Sequence, residues 1–222
     1  MDKLNKRIHG SLYVTNNKNT CEQYREFAEY IKNNGLDVSD KFIEENVFIK
    51  NFLRNIFNEN DIIINEKDEF VRIVKWDIGG DCKNFYPDSK RVKAGRLNPI
   101  GVAYLYLGNN ISTSMKEARV SDGHPFCIGL FKPIKELKIL DFTTNRELEE
   151  KKDNSYKYIV DKMFSKHTEK CKDEREYWPT QFITNLIIDK GVYDGVKYSS
   201  AVQKGGYNIC IFKCENMKCV KW

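Results

Sequence analysis

The chain has no apolar run of the ~20 residues that a membrane-spanning helix needs. Its opening stretch, Met1-Asp2-Lys3-Leu4-Asn5-Lys6-Arg7, has no signal-peptide core. It has neither G-x-G-x-x-G nor a P-loop, so the glycine spacing of a doubly wound dehydrogenase or an NTPase is missing. The seven cysteines are odd in number and scattered. A secreted disulfide framework would pair them, so reduced thiols in a cytoplasmic protein are expected. Cys210, Cys214 and Cys219, or His167 and Cys171, do not form paired C-x-x-C units, and no metal site is expected. The net charge of +5 comes without a Lys/Arg block interleaved with aromatics, so nucleic acid is not an expected partner. No internal repeat is present.

At 222 residues, 41% hydrophobic and 31% charged, the chain suits one well-packed domain with an appendage. Hydrophobic spacing predicts a helical N-terminal extension over 1–60 and an α+β domain over 61–222. Residues 1–20 are polar and without period. A helix is expected over 21–33, with Tyr24, Phe27, Ala28 and Ile31 inward and a stop at Asn34-Gly35. A single second helix should follow the Ser39-Asp40 cap and carry Phe42 through Ile56. Strands are expected over 61–65, 70–76, 102–107, 124–132, 137–142, 195–199 and 207–213. A long loop covers 77–94, a charged helical segment covers 145–176, and Pro179 opens a further helix. The last ten residues read as a tail.

The stretch Gly95–Glu117 organises the rest: G-R-L-N-P-I-G-V-A-Y-L-Y-L-G-N-N-I-S-T-S-M-K-E. Gly95 to Pro99 is a turn. In the strand after it, Val102, Tyr104 and Tyr106 share one face, with Ala103, Leu105 and Leu107 on the other. A helix from Ser112 to Arg119 would open on hydroxyl residues. Arg96, two tyrosines and Glu117 would then surround one concave corner, which suits a ligand with phosphates, a flat ring and a developing positive charge. Glu117 has a second reading, because Ser114-x-x-Glu117 also matches a capping box in which the carboxylate only bonds backbone. Arg72 stands within an apolar strand row, where a guanidinium needs an anion or a structural carboxylate to answer it. Tyrosines on a strand often pack in a core, and Ser199-Ser200 also suits the start of a turn. Arg119 and His124 form a loose R-x4-H pattern of the kind found in helical ribonucleases, but it spans a helix end and a strand.

G-R-L-N-P-x-G-x-x-Y-L-Y-L followed by T-S-M-K-E-A resembles the RES-domain family, named for its arginine, glutamate and serine. The likeness continues in Tyr177-Trp178-Pro179-Thr180-Gln181, in D-G-V-K-Y-S-S and in G-G-Y-N-I-C-I-F, in order from Phe70 to Phe212. It implies a compact mixed-sheet fold related to ADP-ribosyltransferases and cleavage of NAD, the substrate, by water or by inorganic phosphate as co-substrate. Depletion of NAD would make the protein a toxin or defence effector, with a protein antitoxin or inhibitor that blocks the cleft. A homo-oligomer stays open. ADP-ribose transfer to a macromolecule and a catalytically inactive NAD-binding module are the alternatives.

By position in the family motif, Glu117 is the expected catalytic carboxylate. Arg72 and Ser200 join it as catalytic residues, and Arg72, Arg96, Tyr106 and Ser199 bind NAD. The pyridinium is already a good leaving group, so the chemistry needs anchored phosphates, a held ring and a carboxylate near the sugar cation, without a strong acid. With no histidine base placed beside it, Ser200 is expected to hydrogen-bond, not to attack. Gln181 packs beside this pocket or touches it, and carries no assignment.

Overall fold

Asn19 starts the first helix. Its side chain accepts a hydrogen bond from the Glu22 amide (3.0 Å) while the Glu22 carboxylate accepts one from the Asn19 amide (3.1 Å), a reciprocal capping box. The structure is a computed structural model that describes residues 19–57, 60–75, 85–120, 125–144, 156–166 and 173–222. Helix α1 (Thr20–Asn34) ends at Gly35, whose φ of 89° is costly for any residue with a Cβ. Ser39 caps α2 (Asp40–Glu45) as expected. The single helix expected beyond that cap is two. Asn46 adopts extended backbone (φ −68°, ψ 120°) and its side chain accepts from the Ile49 amide, so it ends α2 and starts α3 (Val47–Asn55). An asparagine that bonds local backbone competes with the helix it interrupts.

The strands are β1 (Asp61–Ile64), β2 (Phe70–Lys75), β3 (Leu105–Gly108), β4 (Phe126–Pro133), β5 (Leu137–Asp141), β6 (Gly195–Ser199), β7 (Tyr207–Ile211) and β8 (Met217–Lys221). They form one sheet in the order β1-β5-β6-β7-β3-β2-β4-β8, antiparallel except for the β5–β6 pair. Between strands lie α4 (Ile111–Glu117), α5 (Tyr156–Ser165) and α6 (Trp178–Asp189), the last with a proline in its first turn. The fold is α+β. Two expectations are corrected, and a third is met over the described part of its length. The chain becomes a ladder strand only at Leu105, because Val102 to Tyr104 make no pairing in the sheet. The last ten residues are no tail: Met217–Lys221 pair with β4 and form an edge of the sheet. The charged segment of 145–176 yields α5 and a 3-10 turn at Glu174–Tyr177, and residues 145–155 and 167–172 lie outside the described part. Trp76, His124, His167, Cys171 and residues 77–84 of the expected loop 77–94 do as well.

Strand alternation sorts the apolar side chains into two cores. Ile64, Leu105, Leu107, Phe131, Leu137, Ile139, Ile209, Ile211 and Met217 meet in one cluster, although β1 and β8 are opposite edges, so the sheet curls around it. Tyr104, Leu140, Val196, Tyr198 and Cys210 point the other way, into a core shared with the helices. The N-terminal helices belong to that second core. Phe27 is fully buried, stacked on Phe48 with ring centroids 5.2 Å apart and tilted against Phe182 of α6 at 5.6 Å. Truncating such a ring removes its transfer free energy and leaves a cavity. Phe27→Ala should therefore cost ~3–5 kcal/mol in urea unfolding. A loss below ~1 kcal/mol would mean that these helices only rest on the sheet.

Candidate active site

The sheet opens between β2 and β3. They pair at a single position, Val71 with Gly108, whereas β2 pairs with β4 at six positions and β3 with β7 at four. Past that pair the strands part, and a cavity of about 280 Å³ lies between Arg72 and Ile73 on one side and Tyr106 and Leu107 on the other. Helix α4 closes one end of the gap. Its Ser114 hydroxyl donates to the Val71 carbonyl at 2.9 Å, and a side chain on Gly108 would collide with Ser114. Ser114 is thus a staple between helix and sheet. The cap of α4 is Asn110, whose side chain accepts from the Thr113 amide at 2.8 Å. The expected hydroxyl cap is corrected, and Glu117, at the far end of α4, takes no part in capping it.

Glu117 reaches the cavity from that C-terminal position. The helix end offers a carboxylate no help, since the free carbonyls there carry partial negative charge. The side chain is held by other means. Its Oε1 accepts from the Ser200 hydroxyl at 2.7 Å and from the Asn208 amide nitrogen at 2.7 Å. Its Oε2 lies 3.9 Å from the Arg96 guanidinium, and both side chains are 23% exposed and line the cavity. Ser200 also accepts from the amides of Gln203 (3.1 Å) and Val202 (3.3 Å), which commits its own proton to Glu117. A serine used in this way orients and donates. It is not set up to attack.

Two guanidinium groups flank the carboxylate. Arg72 is half-buried in the cavity wall. Burial pulls its pKa below the usual arginine value, and its one hydrogen bond among the described residues is a long one, 3.4 Å to the Tyr106 carbonyl. Among the described residues no carboxylate answers it, so the cation faces the cavity with most of its donors unused. Arg96 is better anchored, donating to the Phe164 carbonyl at 2.7 Å and the Lys166 carbonyl at 3.3 Å beyond the end of α5.

The loop bearing Arg96 is clamped from two directions. Tyr106 donates to Asn98 Oδ1 at 2.8 Å and accepts from the Leu97 amide at 3.3 Å. Burial raises its pKa well above that of a free phenol, so it stays a neutral donor. Its hydroxyl is spent on the loop and only its ring is available to a ligand. Tyr104, just ahead of β3, packs in the helical core against Phe212, so only one of the expected pair of tyrosines reaches the corner. From α6, the Thr180 hydroxyl donates to the Arg96 carbonyl at 2.5 Å, and the fully buried Gln181 amide donates to the carbonyls of Gly95 (2.8 Å) and Asn98 (2.9 Å). Gln181→Leu would remove this donor from the Gly95 carbonyl and leave the Asn98 carbonyl with the Gly95 amide alone. We expect a loss of ~2–3 kcal/mol in chemical denaturation and weaker ligand binding through a loosened Arg96.

Ser199 does not enter this cavity. Its amide and its hydroxyl both go to Asp161, each at 2.7 Å, and its carbonyl accepts from Ser165. Asp161 is a buried carboxyl whose pKa is raised by burial, with hydrogen bonds from Ser199 and Thr144 working against that rise. Together they wall a second cavity of about 760 Å³ beyond Ser200, where Lys162, Lys166 and Lys204 also stand.

The family model of the RES domain matches residues 75–222. The chain belongs to the RES-domain family. No curated protein matches. Among solved structures, the chain is similar to one titled as a crystal structure of the M. tuberculosis MbcT–MbcA toxin–antitoxin complex, at 12% identity and a TM-score of 0.44, over 72% of this chain and 84% of that one. Four expected residues (Arg72, Arg96, Tyr106 and Glu117) line one cavity, with Arg72 just ahead of the matched span. Ser200 touches it through Glu117, and Ser199 faces the neighbouring cavity. Asn208, Asn98, Asp161 and Thr180 were not anticipated. A signal existed for Asn208: an asparagine inside the apolar strand Tyr207–Ile211 must find a partner or bear the cost of burial. Among the described residues no cluster could hold a metal ion, and no helix is long and apolar enough to cross a membrane.

Proposed function

We propose that this protein cleaves the bond between nicotinamide and ribose in NAD. One observation carries the proposal: a carboxylate with one oxygen fixed by two donors and the other turned to a cavity that also holds two guanidinium groups. Membership of the RES-domain family supports NAD as the substrate. The sugar C1′–nitrogen bond breaks, its electron pair leaves with nicotinamide, and the ring becomes neutral. The positive charge moves to C1′ and its ring oxygen, where the Glu117 carboxylate stabilises it. A cation-stabilising group of this kind contributes most when it is preorganised and shielded from water. Arg72 and Arg96 face the diphosphate, and the Tyr106 ring forms part of the wall beside nicotinamide.

A cavity of about 280 Å³ takes the nicotinamide–ribose half, and the remainder extends past Ser200 toward the larger basic cavity. An oxygen of water or of inorganic phosphate then bonds to C1′, giving ADP-ribose and a proton, or ADP-ribose 1″-phosphate. Such activity drains NAD, so a cell that makes the enzyme needs a protein that covers the cavity, and an antitoxin fits that need. Incubating the pure protein with NAD, with and without phosphate, and separating the sugar products tests the acceptor. Free ADP-ribose in both buffers indicates water, a phosphorylated sugar formed only with phosphate indicates phosphorolysis, and label retained on protein indicates transfer.

A further inference from the structure

We infer that Asn208 is a positioning residue that determines which oxygen of Glu117 meets the reacting sugar carbon. The inference rests on the NAD-cleaving function proposed above and adds a residue to it. Glu117 is the last residue of its helix and has three rotatable side-chain bonds, so nothing in α4 itself fixes the carboxylate plane. Two donors do. Both converge on Oε1 at 2.7 Å, and Oε2 is left toward the cavity, 3.9 Å from Arg96.

The two donors differ in rigidity. Ser200 sits where β6 runs out into the 200–206 turn, and its hydroxyl is shared with the amides of that turn. Asn208 lies inside β7, with Gly108 of β3 opposite it on one side and Tyr198 of β6 on the other. It is 6% exposed and lines the cavity. A donor built into the centre of a sheet cannot drift with a loop. Gly108, opposite Asn208, lets α4 approach the sheet closely, since a Cβ there would collide with Ser114. The carboxylate is therefore referenced to the sheet through Asn208, and Ser200 closes the other side of the same oxygen. With Oε1 held by both, Oε2 is the oxygen directed at C1′.

The test compares the wild type with Asn208→Ala and Asn208→Asp. For Asn208→Ala, we expect kcat on NAD to fall about 10- to 100-fold with KM within twofold, the pattern of a catalytic group that is present but misaimed. Asn208→Asp sets a second carboxylate against Glu117 with Arg96 and Tyr198 unchanged, and should move the acidic limb of the kcat profile to higher pH. In parallel, carbon-13 NMR of labelled glutamate follows the Glu117 carboxyl in all three proteins without any need for turnover. Its titration midpoint should rise in Asn208→Asp, and its shift should change in Asn208→Ala. Unfolding midpoints measured alongside identify a variant that has lost its fold. An unchanged kcat in Asn208→Ala, a loss confined to KM, or an unmoved carboxyl titration in a folded Asn208→Asp would overturn the role given to Asn208. A wild type that leaves NAD intact would overturn the function, and the NMR titration would still decide whether Asn208 holds Glu117.

Discussion

Glu117→Gln should lower NAD turnover by about 10²- to 10³-fold while leaving NAD binding within a few-fold of wild type. The substitution keeps the shape of the side chain. The amide oxygen can still accept from Ser200 and Asn208, as Oε1 does in the native protein. What changes is the atom facing the cavity: a neutral amide nitrogen replaces a carboxylate oxygen beside Arg96. In the proposed reaction, ground-state contacts to the diphosphate and the pyridinium ring come from Arg72, Arg96 and Tyr106, so affinity should survive. The sugar cation loses its counter-charge only as it forms, so kcat should fall with little change in KM. Steady-state nicotinamide release, paired with calorimetric binding to the inactive variant, separates the two effects. A large loss of affinity with kcat intact would assign Glu117 to binding.

Arg72→Met should do the reverse. Affinity for NAD should drop about 100-fold, close to 2.8 kcal/mol, because a desolvated cation facing a diphosphate makes the strong, charge-assisted kind of hydrogen bond. Stability should stay the same or rise. In the free protein this guanidinium is half-buried, has one 3.4 Å hydrogen bond and no carboxylate partner among the described residues, and burial already weakens its hold on its proton. Replacing a poorly compensated buried charge with an apolar chain of similar length removes a cost of folding. Fluorescence binding titrations and urea unfolding of the same sample give both numbers. Arg72→Met that unfolds more easily and still binds NAD would make Arg72 a structural residue.

Local chemistry explains how much of this was visible in the residues. The helix caps at Ser39 and Gly35 were legible because each acts within a few residues, as was the face shared by Phe27, Ala28 and Ile31. The division of Asp40–Asn55 at Asn46 was not, because the apolar spacing runs on through the break. Met217–Lys221 looked like a tail because Lys218, Val220 and Lys221 are exposed, and only the distant β4 makes them a strand. Arg96 and Glu117 were marked by their positions in a recognisable motif. Ser200 was told from Ser199 only by its place in the family motif, and the alternation of a strand end accounts for the difference, one residue facing Asp161 and the other Glu117. Asp161 lay hidden in a charged segment where nothing distinguishes a buried carboxylate from its solvated neighbours.

The most direct test of the account is to follow nicotinamide release from NAD by the wild-type protein, with no other macromolecule present. The account predicts one nicotinamide for each NAD lost, at a rate proportional to enzyme and strongly reduced in Glu117→Gln. NAD that stays intact at high enzyme concentration, in both water and phosphate, while binding to the cavity is demonstrated, would contradict it and leave a binding module in its place.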